Sequence, residues 1–162
     1  VSEALAREAT ALGATLSVVA QEDVLNHWPM IERWAESYRD TPDAEAGGKT
    51  FGPEAILDLI REGAAELVVL SLGSKPVGCA AHVLADDYLE GVMLWIEASH
   101  RRRGLLRGFF GQLMPIVRER GLRGVRFSSK GWDHDGLKQL GFRCVREFQD
   151  AGATVRTWVM EE

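Results

Sequence analysis

Apolar positions recur along this chain at two periods, and each change of period marks an element. Leu16–Ala20 is a short β-like run. Asp23 stands at a helix N-cap position, and Val24, Trp28, Ile31, Trp34 and Tyr38 follow at helical spacing. Pro29 predicts a kink or restart in that helix. A second helix opens at Gly52-Pro53, presents Ile56, Leu59 and Ile60 on one side, and stops at Gly63. Alternation then predicts strands over Glu66–Leu72, Val77–Leu84 and Glu90–Ile96. Turns at Gly73-Ser74-Lys75-Pro76 and Asp86-Asp87 divide them.

From Leu105 the helical period returns. Leu106, Phe109, Phe110, Leu113 and Val117 line one side until Gly121, with Pro115 bending the helix by removing a donor. Val125–Ser128 reads as a strand and Asp133–Gln139 as a short helix. Arg143–Phe148 and Thr154–Met160 form a last strand pair around Ala151-Gly152. The Ala-rich start, residues 2–12, is a helix or arm, and 40–50 is a loop. The order predicts an α+β protein in which helices cover a mostly antiparallel sheet. We divide it into an N-terminal helical arm at 1–15 and a single domain at 16–162.

Composition narrows the class. At 162 residues with 46% hydrophobic and 27% charged content, the chain suits one folded domain with one core. No apolar run approaches a membrane span and no secretory pattern opens the chain, so we expect a soluble, cytoplasmic protein with no membrane partner. Cys79 and Cys144 read as reduced core residues, and four scattered histidines give no metal spacing. The net charge of -5 conceals a segregation. Between 101 and 130 the arginines at 101, 102, 103, 107, 118, 120, 123 and 126, with Lys130, face a single acid, Glu119. Such a segment is either a solvated helix face or a site for a polyanion. Stacking aromatics do not interleave with it, which argues against nucleic acid.

Candidate chemistry gathers where the Glu90–Ile96 strand gives way to the helix at Leu105. Free amides at a helix N-terminus bind phosphate, and Gly104 admits an anion where a Cβ would intrude. Arg101-x-x-Gly104-x-Leu106 resembles the Arg/Gln-x-x-Gly-x-Gly/Ala turn of the GNAT (Gcn5-related N-acetyltransferase) family, with Leu106 departing from the last position. Leu137-Lys138-Gln139-Leu140-Gly141-Phe142 is similar to that family's Tyr-x-x-x-Gly-Phe segment, with Leu137 in place of the tyrosine. The element order from Leu16 to Met160 also fits.

The resemblance implies a GNAT fold with a six- or seven-stranded sheet, and acetyl-CoA as co-substrate. It implies a pyrophosphate site at Arg101, Arg102, Arg103, Gly104, Leu105 and Leu106. It also implies that Leu94, Trp95 and Ile96 pair their backbone with pantetheine, a bulge splaying their strand from its neighbour. The reaction expected is direct attack of a primary amine on the acetyl group. Glu90 sits where some members carry a glutamate base; a solvated strand-edge carboxylate is the other reading. Asp86, Asp87 and His134 are further candidates. The usual acid, a tyrosine at 137, is missing; Ser128, Ser129 or Cys144 are candidates to replace it, and water can also serve as the acid.

A second reading stays open. Asp58-Leu59-Ile60-Arg61-Glu62-Gly63 and Lys130-Gly131-Trp132 look similar to the GNAT-like small proteins of short-tailed phages, some of them virion-associated. The chain would then be a non-catalytic structural module with an eroded coenzyme site. Its partner would be a virion assembly protein, or a second copy in a homodimer, in place of an amine acceptor.

Overall fold

The computed structural model describes residues 13–39, 53–101, 104–129, 134–150 and 152–161. Residues 1–12 of the expected arm, the 40–50 loop, Gly52, Arg102, Arg103 and the Lys130-Gly131-Trp132 stretch lie outside the described residues.

Strand β1 is Ala14–Val18, two residues earlier than its apolar run suggested. A 3-10 segment over Gln21–His27 follows, starting from Ala20 and not from Asp23. It passes into helix α1, Trp28–Arg39. Pro29 lies in the first turn of α1, where its missing N–H costs no hydrogen bond, so the proline restarts the helix. Helix α2 is Pro53–Glu62. Strands β2 (Glu66–Leu72), β3 (Lys75–Ala85) and β4 (Tyr88–Ile96) form a meander. Asp86 and Asp87 both have positive φ, 52° and 64°. That is the backbone of a primed two-residue turn, whose twist matches the strands it joins. The turn therefore lets β4 begin at Tyr88, ahead of the expected Glu90.

Helix α3, Leu105–Glu119, continues through Pro115, and Gly121 at φ 67° turns the chain out of it. Strand β5 is Gly124–Ser129, helix α4 His134–Leu140, and β6 (Arg143–Asp150) and β7 (Ala153–Glu161) form the last hairpin. Among the described residues seven strands make one sheet, in the order β1-β2-β3-β4-β5-β7-β6. Every neighbouring pair is antiparallel except β4 with β5.

Helices cover both faces, so alternate strand positions feed two cores. On one face, Phe109, Phe110, Leu113 and Val117 of α3 and Leu137 of α4 pack on Val68, Leu70, Leu89, Val125 and Trp158. Edge-to-face contacts link Phe109 to Phe110, Phe110 to Phe142 and Phe142 to Phe127. On the other face, Ile31 and Trp34 of α1 and Ile56 and Ile60 of α2 cover Leu67, Val69, Cys79, Ala81 and Met93. Each such side chain contributes about 1.5–3 kcal/mol by leaving water. Cys79 is a core residue as expected, and burial pushes its thiol up to about 12. Cys144 is not. It lies exposed on β6, a strand at the edge of the sheet.

The other edge is closed by a side chain. The Gln112 amide of α3 accepts from Leu16 N–H at 2.8 Å and donates to the Ala14 carbonyl. One amide thereby stands in for a rung of a further strand. Among the described residues no helix is long and apolar enough to cross a membrane.

Candidate active site

The parallel pair β4–β5 holds together for only three rungs: Tyr88 with Gly124, Leu89 with Val125, and Glu90 with Arg126. Beyond them β4 runs on to Ile96 and β5 to Ser129 without pairing. The cause lies on the other side of β4. His82 pairs with Gly91 and Ala81 with Met93, so Val92 is an extra residue that bends β4 away from β5. Glu97 N–H donates to the Val77 carbonyl at 2.9 Å. By the alternation of an antiparallel ladder, Trp95 then faces β3, while the backbone groups of Leu94 and Ile96 face the gap. Their side chains pack toward α3, and Trp95 packs on the α1 side.

At the open end of this gap the chain makes a 3-10 turn, Ala98–His100, and enters α3. Gly104 is the N-cap with φ 76°, a left-handed backbone that disfavours any side chain. It supplies no capping side chain, so the first-turn amides that lack intrahelical acceptors remain available to an anion. Arg101 Nε donates to the Ile96 carbonyl at 2.8 Å, tying the turn to the end of β4. Leu105 is buried in the α3-side core, and the side chain of Leu106 packs partly against it. The position that departs from the family turn is thus partly absorbed by the core.

Glu90 closes the gap at its narrow end. Its carboxylate hydrogen-bonds Arg126 Nε, while Arg126 Nη2 reaches Asp86 at 3.1 Å. The bond to Glu90, more than the one to Asp86, raises the Arg126 guanidinium above its ordinary value. The Arg126 cation also lies 5.0 Å from the Tyr88 ring centroid. Glu90 is therefore neither a lone base nor a freely solvated carboxylate; it shares an arginine with Asp86. Asp87 sits beside Asp86 in the turn.

The remaining candidates are dispersed. Leu137 is buried at 2% exposure in the α3-side core and offers no proton. Ser128 lies on the part of β5 that has parted from β4 but still pairs with β7, its hydroxyl bonded to Thr157 at 2.8 Å, and Ser129 beside it is buried. Cys144 is on the far edge strand, apart from these groups. His134 opens α4.

Three features carried no readable signal. Arg126 as the partner of Glu90 is one, because 36 residues separate them. The indole N–H of Trp95 is another: it is buried without a hydrogen-bond partner among the described residues. The third is a network in which His82 Nε2 meets Glu66 at 2.8 Å and Arg120 grips the same carboxylate at 2.8 and 3.0 Å. Burial lowers His82 against the opposing pull of Glu66. Burial also raises the Glu66 carboxyl, but hydrogen bonds from Arg120 and His82 outweigh that and hold it below its ordinary value.

No family model matches the sequence, and no curated protein matches it. Solved structures do. The ribosomal-protein-S18-alanine N-acetyltransferase of Escherichia coli superposes with a TM-score of 0.69 at 12% identity, over 91% of this chain and 93% of that one. The chain has the GNAT fold. An N-acetyltransferase from Staphylococcus aureus Mu50 aligns at 0.66 with 11% identity, covering 91% and 98% of the two chains. The PaiA N-acetyltransferase of Thermoplasma acidophilum, solved with coenzyme A, aligns at 0.61 with 13% identity, covering 92% and 99%. In this GNAT fold the strand parting and the glycine-started helix fall together at one end of β4.

Proposed function

We propose that the chain is an acetyl-CoA-dependent N-acetyltransferase that moves the acetyl group to a primary amine by direct attack. The observation that supports it most is the parting of β4 from β5 beyond Glu90 and Arg126, with the uncapped start of α3 at its open end. An extended amide-bearing ligand can add to a free strand edge as a further strand does. Leu94 and the Ile96 N–H offer that edge, the Ile96 carbonyl being held by Arg101; Trp95 between them braces it, and the turn at Arg101, Gly104, Leu105 and Leu106 offers amides and cations to phosphates. Arg102 and Arg103 complete the proposed set.

The chemistry needs a neutral amine. Glu90 takes the proton, directly or through water, and Arg126 keeps Asp86 as a partner when Glu90 turns to the amine. With Leu137 buried, no side chain at that position protonates the departing thiolate, and water does so. The E. coli neighbour is named for a protein alanine amine, which makes a protein N-terminus one acceptor to try beside polyamines, amino sugars and small amines.

Titration calorimetry with acetyl-CoA tests the site without an acceptor, and thiol release over an amine panel tests the reaction. The engagement of Glu90 by Arg126 and the burial of Leu137 favour a second reading, a binding or virion-assembly module without catalysis. Tight coenzyme binding with no thiol release from any amine would select the binding module, and no coenzyme binding at all the virion-assembly module with its eroded site. Absence of coenzyme binding would overturn the transferase reading.

A further inference from the structure

The sheet has two edges, and the Gln112 amide closes the one at β1. The other, β6, bulges at Val145, because Cys144 pairs with Trp158 and Arg146 with Thr157. Past the bulge, Arg146–Asp150 is regular, each residue paired in turn with β7 down to Asp150 and Ala153. A hairpin loop of two residues closes on a hydrogen-bonded pair, so Asp150 turns its backbone groups toward β7, and alternation carries the pattern back along the strand. Phe148 and Arg146 then bond inward, whereas Glu147 and Gln149 turn their N–H and C=O groups outward. Side chains alternate as well. Arg146, Phe148 and Asp150 share one face of the sheet, and the Arg146 cation sits 4.7 Å from the Phe148 ring centroid.

Charges on an edge strand ordinarily discourage pairing. Here they discourage every register but one. Two copies of a strand meeting about a twofold normal to the sheet must run antiparallel and keep their faces, so residues pair only with residues of the same face. Centring the axis on Glu147 sets like charges against each other, and centring it on Gln149 sets Phe148 against Asp150. Centring it on Phe148 places Arg146 of each copy opposite Asp150 of the other, on both sides of a central phenylalanine pair. In that register the outward groups of Glu147 face those of Gln149, so both strands satisfy their free backbone.

We propose that β6 is a self-association edge, at which two copies of this chain join Arg146–Asp150 antiparallel about Phe148 into one continuous sheet. The inference is independent of the catalytic reading, since no group of the candidate site takes part.

Sedimentation velocity on the purified chain, from low to high micromolar protein, tests it. A reversible dimer is expected that weakens with salt. Arg146→Asp or Asp150→Arg alone should weaken association about tenfold, since each sets like charges opposite one another twice per dimer. The combined variant should restore it. Gln149→Pro removes an outward N–H while sparing the backbone bonds to β7, at the loss of one exposed side-chain bond to Thr154, and should leave a folded monomer by circular dichroism. A chain that stays monomeric throughout, or a dimer indifferent to Arg146→Asp and Gln149→Pro, overturns the proposal. So does a combined variant that folds but fails to recover association.

Discussion

Replacing Gly78 with alanine should damage the protein at one definable place. Gly78 pairs with Ile96 across β3 and β4, and its backbone has no positive φ, so only space forbids a side chain. A Cβ there would stand 2.6 Å from the Trp95 carbonyl oxygen and 3.3 Å from Ile96 Cα, both backbone atoms. Ordinary contact begins at 3.4 Å, so β4 must move by the difference from 2.6 Å, about 0.8 Å. Among the described residues no strand pairs with the other side of β4 at this level, and the shift is therefore into the gap. Overpacking of this kind costs about 1–3 kcal/mol, or roughly 2–12 °C of melting temperature for a chain of this size. Because the moving segment is the edge proposed for acetyl-CoA, coenzyme affinity should fall as well. Gly91→Ala is the control. Its Cβ would meet only Phe127 Cβ at 3.5 Å and the Arg126 carbonyl at 3.7 Å, so its melting point should stay near that of the parent. Melting curves with and without acetyl-CoA decide the matter. If Gly78→Ala and Gly91→Ala melt and bind alike, the packing of β4 against β3 does not shape the gap, and this reasoning fails.

Three further outcomes are expected. Acetyl-CoA at about 100 times its dissociation constant should add about 2.7 kcal/mol of apparent stability, and Gly104→Asp should abolish that gain by placing a side chain and a negative charge at the start of α3. Glu90→Gln should keep coenzyme affinity while lowering thiol release by roughly 10²–10⁴; equal rates would move attention to Asp86, Asp87 or His134. The folded-state values of both His82 and Glu66 are lowered, so the unfolded chain takes up protons first and stability must fall with pH. The decline should begin as pH drops through the ordinary histidine value of 6.5 and steepen below the carboxylate value of 4.5. His82→Asn should remove the earlier part of the curve, as melting temperature against pH will show.

Local signals carried most of the fold. Pro29, Gly63 and Gly121 act on their own neighbours, so the helix ends near them were readable. Strand ends were less so: β1 starts at Ala14 because Ala14 pairs with Leu72, a partner that periodicity does not reveal. The resemblance implied a bulge in β4, but its place at Val92 is hidden for a related reason. Val92 to Ile96 is continuously apolar, and an extra residue in such a run breaks no alternation. The turn at Gly104 was legible because a glycine before an amphipathic helix has a local meaning. The environment of Glu90 was not, since Arg126 and Asp86 reach it only once β4 and β5 lie side by side.

The Gln112 amide that closes β1 also sets a schedule. It bonds Ala14, from which it is 98 residues removed in sequence, so the outer side of β1 cannot be closed until α3 has been made. At ordinary rates of synthesis that interval is about 5–20 s, and contacts between such distant residues form slowly in any case. Once Leu72 has been made β1 can pair with β2, but its outer side stays open to any extended segment nearby. The outer side of the first strand is thus closed only after β2, β3 and β4 have been made, and a chain lacking Gln112 would pass through synthesis with no side-chain rung to close it.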